Sequence, residues 1–382
     1  MEVLIVSNFL PPKTGGIERF SHELASELQK LPEINVTVAC SEWKPLSILT
    51  NLKYKEPSYQ TVYFPSLIIA NRFPIPKIWT PDFWRTFFSL KGQYSIVLYQ
   101  SHLFILNWIL AVKFRNIKRT IWINHGCNFV PTNSLLISHI EVAYEKIGMS
   151  ILRLLCKEYF AQSKNAAEWV ESKVRVPFNV LSNAVNLELF DFTESAQRAP
   201  FKSKVLFVGR LVHGKGVLEC CDVVLEANKL LELRGSKNRF EFEIIGSGPL
   251  STVISEQYSD SNFIIQGERD QKFVIDRMYS ADILIQAYAQ PEGLTSVTLE
   301  GIGAGMLVVT TQLGGGGALD DCISYKPSSI KSMPEKLIEA GEDKICRSEL
   351  CSAGIKFIKA NYTWNIVAHR LLAAEDGLGA YI

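Results

Sequence analysis

Short apolar strands that empty into glycine and lead into a helical pattern recur along this chain, and that rhythm leaves few folds open. Glu2 to Ser7 is a β-branched run opening into Pro11-Pro12-Lys13-Thr14-Gly15-Gly16, after which Phe20, Leu24 and Leu28 return at helical spacing. Lys204 to Val208 runs into Gly209, with Gly214 and Gly216 just before a helix expected near Val217. Phe240 to Ile245 ends at Gly246, Phe263 to Gln266 at Gly267, and Met306 to Thr311 at four glycines, Gly314 to Gly317. Strands that are apolar throughout are buried on both faces, as in a parallel sheet whose crossovers are helices. With further strands at Asn35 to Ala39, Ser95 to Tyr99, Thr120 to Asn124, Tyr159 to Ser163 and Asp282 to Ala287, the pattern predicts an α/β protein with doubly wound sheets.

A chain of 382 residues exceeds what one core usually supports, so two domains are expected. Periodic signals thin out between Val180 and Phe201, which places the junction there, with domains of 1–183 and 184–362. Net charge is only +1, but residues 1–183 hold 20 Lys+Arg against 13 Asp+Glu while the rest holds 20 against 26. The first half therefore suits an anionic surface or acceptor, and no basic run is dense enough for nucleic acid. Eight cysteines without C-x-x-C spacing read as reduced thiols of a cytoplasmic protein. The N-terminus carries Glu2 where a signal peptide needs positive charge, and the longest apolar run, Leu103 to Val112, is too short to span a bilayer.

Candidate chemistry concentrates in Ala287 to Gly317, AYAQPEGLTSVTLEGIGAGMLVVTTQLGGGG. Glu292 and Glu300 are separated by seven residues around a helix start at Thr295-Ser296. A loop carboxylate can accept hydrogen bonds from hydroxyls, helix-terminal amides attract a diphosphate, and a carboxylate further into the helix can reach a ribose diol. Taken singly, either glutamate also fits a solvated helix charge. Arg210 and Lys215, five residues apart in a glycine-flanked loop, can converge on a diphosphate or stand as surface charges. Gly15-Gly16 before a helix is an anion-binding unit or a tight connection. His125 ends a strand at the carboxyl edge of a sheet, where an imidazole can bind a hydroxyl or move a proton, and is the functional candidate; His102 is the structural one. Between Arg72 and Lys91 aromatics alternate with cations, a composition that suits either a membrane headgroup region or a core. A last amphipathic helix runs from about Asn365 to Glu375.

With these residues in hand, the chain resembles a GT-B glycosyltransferase of the large retaining family 4. The likeness runs nearly end to end and rests on PEGLTSVTLEGIGAG with its VVTT strand, on VGRLVHGKG, and on GGIER, NHG, AQS, SNAVN and the TW that opens the final helix. It implies two Rossmann-like domains facing across a cleft, an N-terminal acceptor domain, a C-terminal nucleotide-sugar domain, and a last helix, about 363–382, packing back on the first domain. Carried over by residue, Arg210 and Lys215 would hold the donor diphosphate, Glu300 the ribose and Glu292 the transferred sugar. Amides at Gly293, Leu294 and Thr295 would complete the phosphate site with Gly246, Gly15 and Gly16 would approach from the other domain, and His125 would contact the sugar. The resemblance implies no cofactor and no metal, in keeping with a sequence that lacks D-x-D and whose only adjacent aspartates are Asp320-Asp321.

Two departures stand out: four glycines follow the VVTT strand where relatives have two and then a glutamate, and Asn183-Ala184 replaces Asn-Gly. The expected reaction moves a sugar from a nucleoside diphosphate sugar to a glycan or glycolipid acceptor, in bacterial surface polysaccharide or glycolipid synthesis, with an anionic membrane surface as a candidate partner of the N-terminal domain. A nucleotide-sugar epimerase or hydrolase, and a non-catalytic binding subunit, are the alternatives.

Overall fold

The computed structural model describes residues 1–11, 15–43, 57–69, 73–129, 135–190, 201–261, 263–319, 321, 323–345 and 347–373. Expectations touching Pro12 to Thr14, Arg72, 191–200 of the junction, Asp320, Cys322, Cys346 and the tail past Ala373 lie outside them. The chain divides into two compact units: Met1–Ser182 together with the segment from Trp364 onward, and Asn183–Thr363.

The first unit is built on β1 (Glu2–Val6), β2 (Asn35–Ser41), β3 (Gln60–Phe64), β4 (Ser66–Ile69), β5 (Phe73–Pro76), β6 (Ile96–Gln100), β7 (Arg119–Asn124), β8 (Glu158–Ala161) and β9 (Asn179–Val180). Its helices are α1 (Gly16–Lys30), α2 (Pro81–Ser89), α3 (Ile105–Lys113), α4 (Leu135–Leu155) and α5 (Lys164–Val174). Seven strands form one parallel sheet in the order β3-β2-β1-β6-β7-β8-β9, while β4 and β5 make a separate antiparallel hairpin. Val3, Leu4, Ile5 and Val6 are all fully buried, so both faces of β1 are covered. One face packs through Leu4, Val97 and Trp122 against Phe83 of α2, Leu110 of α3 and Leu152 of α4.

The second unit contains β10 (Lys204–Val208), β11 (Glu241–Ile245), β12 (Ile264–Gly267), β13 (Ile283–Gln286), β14 (Leu307–Thr310) and β15 (Ser324–Tyr325). Its helices are α6 (Val217–Leu233), α7 (Leu250–Gln257), α8 (Gln271–Ser280), α9 (Ser296–Gly303), α10 (Met333–Glu342) and α11 (Arg347–Asn361). All six strands are parallel, in the order β12-β11-β10-β13-β14-β15. Alternate residues feed opposite faces. Val205, Phe207 and Ile285 join the core with Cys220 of α6 and Leu337 of α10, whereas Leu206, Leu284 and Val308 join that of Met278, Ile302 and Ile358 from α8, α9 and α11.

In each sheet the strand order reverses beside its first strand, between β1 and β6 and between β10 and β13. Doubly wound sheets bind ligands in the crevice outside the carboxyl ends of the strands at such a reversal. For the second unit this selects the loops after β10 and β13, which carry Arg210, Lys215 and Glu292.

After α11 the chain returns to the first unit as α12 (Trp364–Ala373), which packs on α1. Trp364 meets Phe20 edge-on at 5.3 Å. The carbonyls of a helix's last turn lack intrahelical partners. Here Arg119 supplies donors: its guanidinium reaches Leu371 O at 2.9 Å and Leu372 O at 3.3 Å and clasps Glu158 through Nε and Nη2, each at 2.7 Å.

The aromatic-basic stretch divides between core and solvent. Thr80 caps α2, its Oγ1 accepting the Phe83 N–H at 3.4 Å, and Pro81 starts the helix. That phase sends Phe83 into the core and leaves Trp84 and Phe88 exposed. All six described cysteines are free thiols. Among the described residues, no helix is long and apolar enough to cross a membrane.

Candidate functional site

At the reversal point of the second sheet the backbones of four strand ends are drawn together, and glycine makes this feasible. Gly209 donates to Ile245 O at 3.0 Å and Leu211 to Ser247 O at 2.9 Å, tying the loop after β10 to the loop after β11. A Cβ on Gly246, whose φ is +150°, would lie 1.8 Å from Gly209 O. Gly216, at φ +77°, caps α6 so tightly against the exit of β13 that a Cβ would lie 2.2 Å from Ala287 O. Gly246 therefore has a packing role at the place where donor binding was expected. Gly246→Ala is expected to cost on the order of 2–4 kcal/mol by pushing the two loops apart, and urea unfolding against the wild type measures it.

The loop after β13 is held as firmly. Glu292 N–H donates to Leu313 O at 2.7 Å, and Thr311 Oγ1 to Tyr288 O at 2.9 Å. Gly315, at φ +81°, approaches so closely that a Cβ would stand 2.8 Å from Leu294 N. The extended glycine run thus has a physical reason: its backbone lies directly against the Gly293-Leu294 loop. Thr295 caps α9, its Oγ1 accepting the Thr298 N–H at 3.2 Å, and Thr298 Oγ1 in turn donates to Gln286 Oε1 at 2.5 Å. Leu294 is buried and packs into the core, so only its backbone can serve a ligand.

On this frame Lys215 Nζ stands 2.8 Å from Glu292 Oε2, with about a quarter of each side chain exposed. Residues 77 apart in sequence thus share one position at the mouth of the switch point. Glu300 is buried on α9 at 3% exposure, and the Gln271 side-chain amide donates to its Oε1 at 3.4 Å. Arg210 is exposed in the loop after β10. The assembly combines a cation–carboxylate pair, a helix N-terminus and a recessed carboxylate, which suits a ligand bearing both phosphates and hydroxyls.

The other candidates belong to the first unit. Gly15 and Gly16 do begin a helix, but the Glu18 carboxylate is folded over that end, 1.9 Å from where a Gly15 Cβ would be. An anion arriving there would share the helix terminus with a carboxylate. His125 follows β7, its Nε2 2.6 Å from Gln100 Oε1 and its ring edge-on to Phe20 at 5.1 Å. Burial pushes its pKa from 6.5 down to about 4, the facing His102 adding to the effect and a Gln162 hydrogen bond opposing it. His102 is itself buried, with Nε2 3.1 Å from Glu145 Oε2, in a structural setting.

The imidazole of His125 is therefore neutral at pH 7 and acts as a hydrogen-bonding group. Because its folded pKa lies below the unfolded one, the unfolded chain binds the extra proton. This contribution to stability is complete above about pH 6.5 and is lost as pH falls toward 4. Replacing His125 by Gln is expected to flatten the pH dependence of the melting temperature in that window.

Three side chains that hydrogen-bond the candidate residues or the α9 cap were not picked out from the sequence: Gln286, polar at the end of the otherwise apolar strand ILIQ, and Gln271 and Gln100, which carry no local signal.

Residues 14–189 match the family model described as Glycosyltransferase Family 4, and residues 202–343 the model described as Glycosyl transferases group 1. The chain is a glycosyltransferase of the GT-B type. An uncharacterized glycosyltransferase of Methanocaldococcus jannaschii is 24% identical over 396 residues, spanning 95% of each chain. Among solved structures, Anabaena HepE, crystallised with UDP-glucose, superposes with a TM-score of 0.69 at 12% identity, covering 99% of this glycosyltransferase and 100% of HepE. A glycosyltransferase from Rickettsia africae gives 0.67 at 18% identity and 99% coverage of both. These likenesses extend through both units of the GT-B chain.

Proposed function

We propose that this glycosyltransferase takes its sugar from a nucleoside diphosphate donor held by the second unit and transfers it, with retention at the anomeric carbon, to a hydroxyl of a glycan or glycolipid. The observation that carries the reading is the Lys215–Glu292 pair at the sheet's reversal point, beside the N-terminus of α9 and the buried Glu300. In this reading Arg210, Lys215 and the amides of Gly293, Leu294 and Thr295 meet the diphosphate. Glu300 accepts from the ribose hydroxyls and Glu292 from the sugar. That HepE is crystallised with UDP-glucose makes a uridine diphosphate sugar the first donor to try.

The chemistry follows from where charge develops. The anomeric C–O bond breaks with its electron pair passing to the diphosphate, and Arg210, Lys215 and the helix-terminal amides stabilise that growing charge. The acceptor oxygen forms the new bond on the same face, and its proton passes to the departing phosphate oxygen. His125, neutral, hydrogen-bonds a sugar hydroxyl. No metal is required in this scheme, so excess EDTA leaves the rate unchanged. In this reading the protein is cytoplasmic and serves bacterial surface polysaccharide or glycolipid synthesis.

Incubation with sugar nucleotides and a lipid or glycan extract, followed by NMR of the anomeric proton, tests the reading. It predicts a new glycoside with the donor's anomeric configuration. An inverted product, free sugar alone, or an epimerised nucleotide would rule it out.

A further inference from the structure

We infer that the surface of the first unit around α2 docks on an anionic lipid bilayer. Transfer between soluble substrates does not need such a surface. Helix α2 buries Phe83 completely and turns Trp84 and Phe88 outward, with Phe88 70% exposed and Trp79, just before the helix, 64% exposed. The Trp84 indole N–H donates to Ile78 O at 2.7 Å, which fixes that ring beside Phe88, centroids 6.0 Å apart. A preordered aromatic ledge is thus presented to solvent, where each ring exposes apolar area that water disfavours.

The surrounding charge identifies what covers it. Between Pro57 and Lys118 the sequence holds seven lysines and arginines and a single acid, Asp82, which Arg85 pairs at 2.8 Å. Lys113 at the end of α3 sits 4.1 Å from the Phe87 ring centroid and 5.9 Å from that of Phe88, so a cation borders the ledge directly. Aromatic rings and flanking cations are the two groups that the headgroup layer of an anionic bilayer stabilises together, the rings at the acyl boundary and the cations among the phosphates. In the neighbouring hairpin, Leu67 and Ile69 are exposed as well.

The test is co-sedimentation of the full chain, without any sugar nucleotide, with phosphatidylcholine vesicles that do or do not contain phosphatidylglycerol. Binding is expected only to the anionic vesicles and should weaken as salt is added. The exposed double variant Trp79→Ser, Phe88→Ser should lose at least about tenfold in partition while keeping the wild-type thermal shift with sugar nucleotide. A wild type that stays in the supernatant, or a double variant that binds as well as wild type, overturns the inference. So does a wild-type dimer in light scattering that the double variant abolishes, because a second copy would then occupy the ledge. Vesicle binding by a chain that proves unable to bind any sugar nucleotide supports the docking surface and counts only against the proposed donor chemistry.

Discussion

Lys215→Ala is expected to lower turnover by roughly 10²- to 10³-fold, the loss typical of removing one donor aimed at a developing anion, with little change in stability. The two halves of that expectation have separate causes. Lys215 and Glu292 are each about a quarter exposed, so water can solvate Glu292 when its partner is gone. Ion pairs with such access to solvent contribute about 0–1 kcal/mol to folding. In the proposed transition state the same ammonium faces a diphosphate that is gaining charge, where no water can replace it without reorganising. Steady-state kinetics and a melting curve on one preparation separate the effects. Near-normal turnover would remove Lys215 from the mechanism, and a large drop in melting temperature would make the pair structural.

Arg119→Ala should behave in the opposite way. The substitution strips Glu158 of its bidentate partner and removes the donors to Leu371 O and Leu372 O, so α12 loses its anchor on β7. Breaking a buried pair by removing one member costs about 3–5 kcal/mol. Glu158 keeps 23% of its side chain exposed, which favours the lower end. At about 2–4 °C per kcal/mol for units of this size, the melting temperature of the first unit should fall by roughly 6–12 °C. Differential scanning calorimetry measures this, and a shift within about 1 °C of wild type would show that the clamp contributes nothing.

These two cations also mark where the sequence was legible and where it was not. The alternation of apolar strand, glycine and helix was readable because burial on both faces forces every strand residue to be apolar. Lys204–Val208 was read with its observed bounds, and most other strands within one or two residues. Glu292, Glu300 and the start of α9 were readable because spacing and capping are local properties of a few adjacent residues. Lys215 and Glu292, 77 residues apart, were brought to one site by the family resemblance alone and not as an ion pair, while Arg119 and Glu158, 39 apart, carry nothing in either segment that announces the other. Strand β3 and the β4–β5 hairpin were missed for a different reason. The hairpin lies outside the large sheet and β3 on its edge, so their burial is partial, and the prolines of Phe73-Pro74-Ile75-Pro76 argue against a strand except where ladder donors are not needed. In α2 the composition was ambiguous because one short helix serves both core and surface. Only its phase, set by the Thr80 cap, separates Phe83 from Trp84 and Phe88.

The central claim is that the carboxyl end of the second sheet is a sugar-nucleotide site in which Glu300 recognises the ribose. Thermal denaturation of the wild type and of Glu300→Gln, each against a panel of UDP-, GDP- and ADP-sugars, tests it most directly, since a ligand that binds only the folded state raises the melting temperature. At least one sugar nucleotide should stabilise the wild type, with the shift largely lost in Glu300→Gln although the two proteins melt similarly alone. No stabilisation by any member of the panel, or an equal shift in both proteins, would contradict the account.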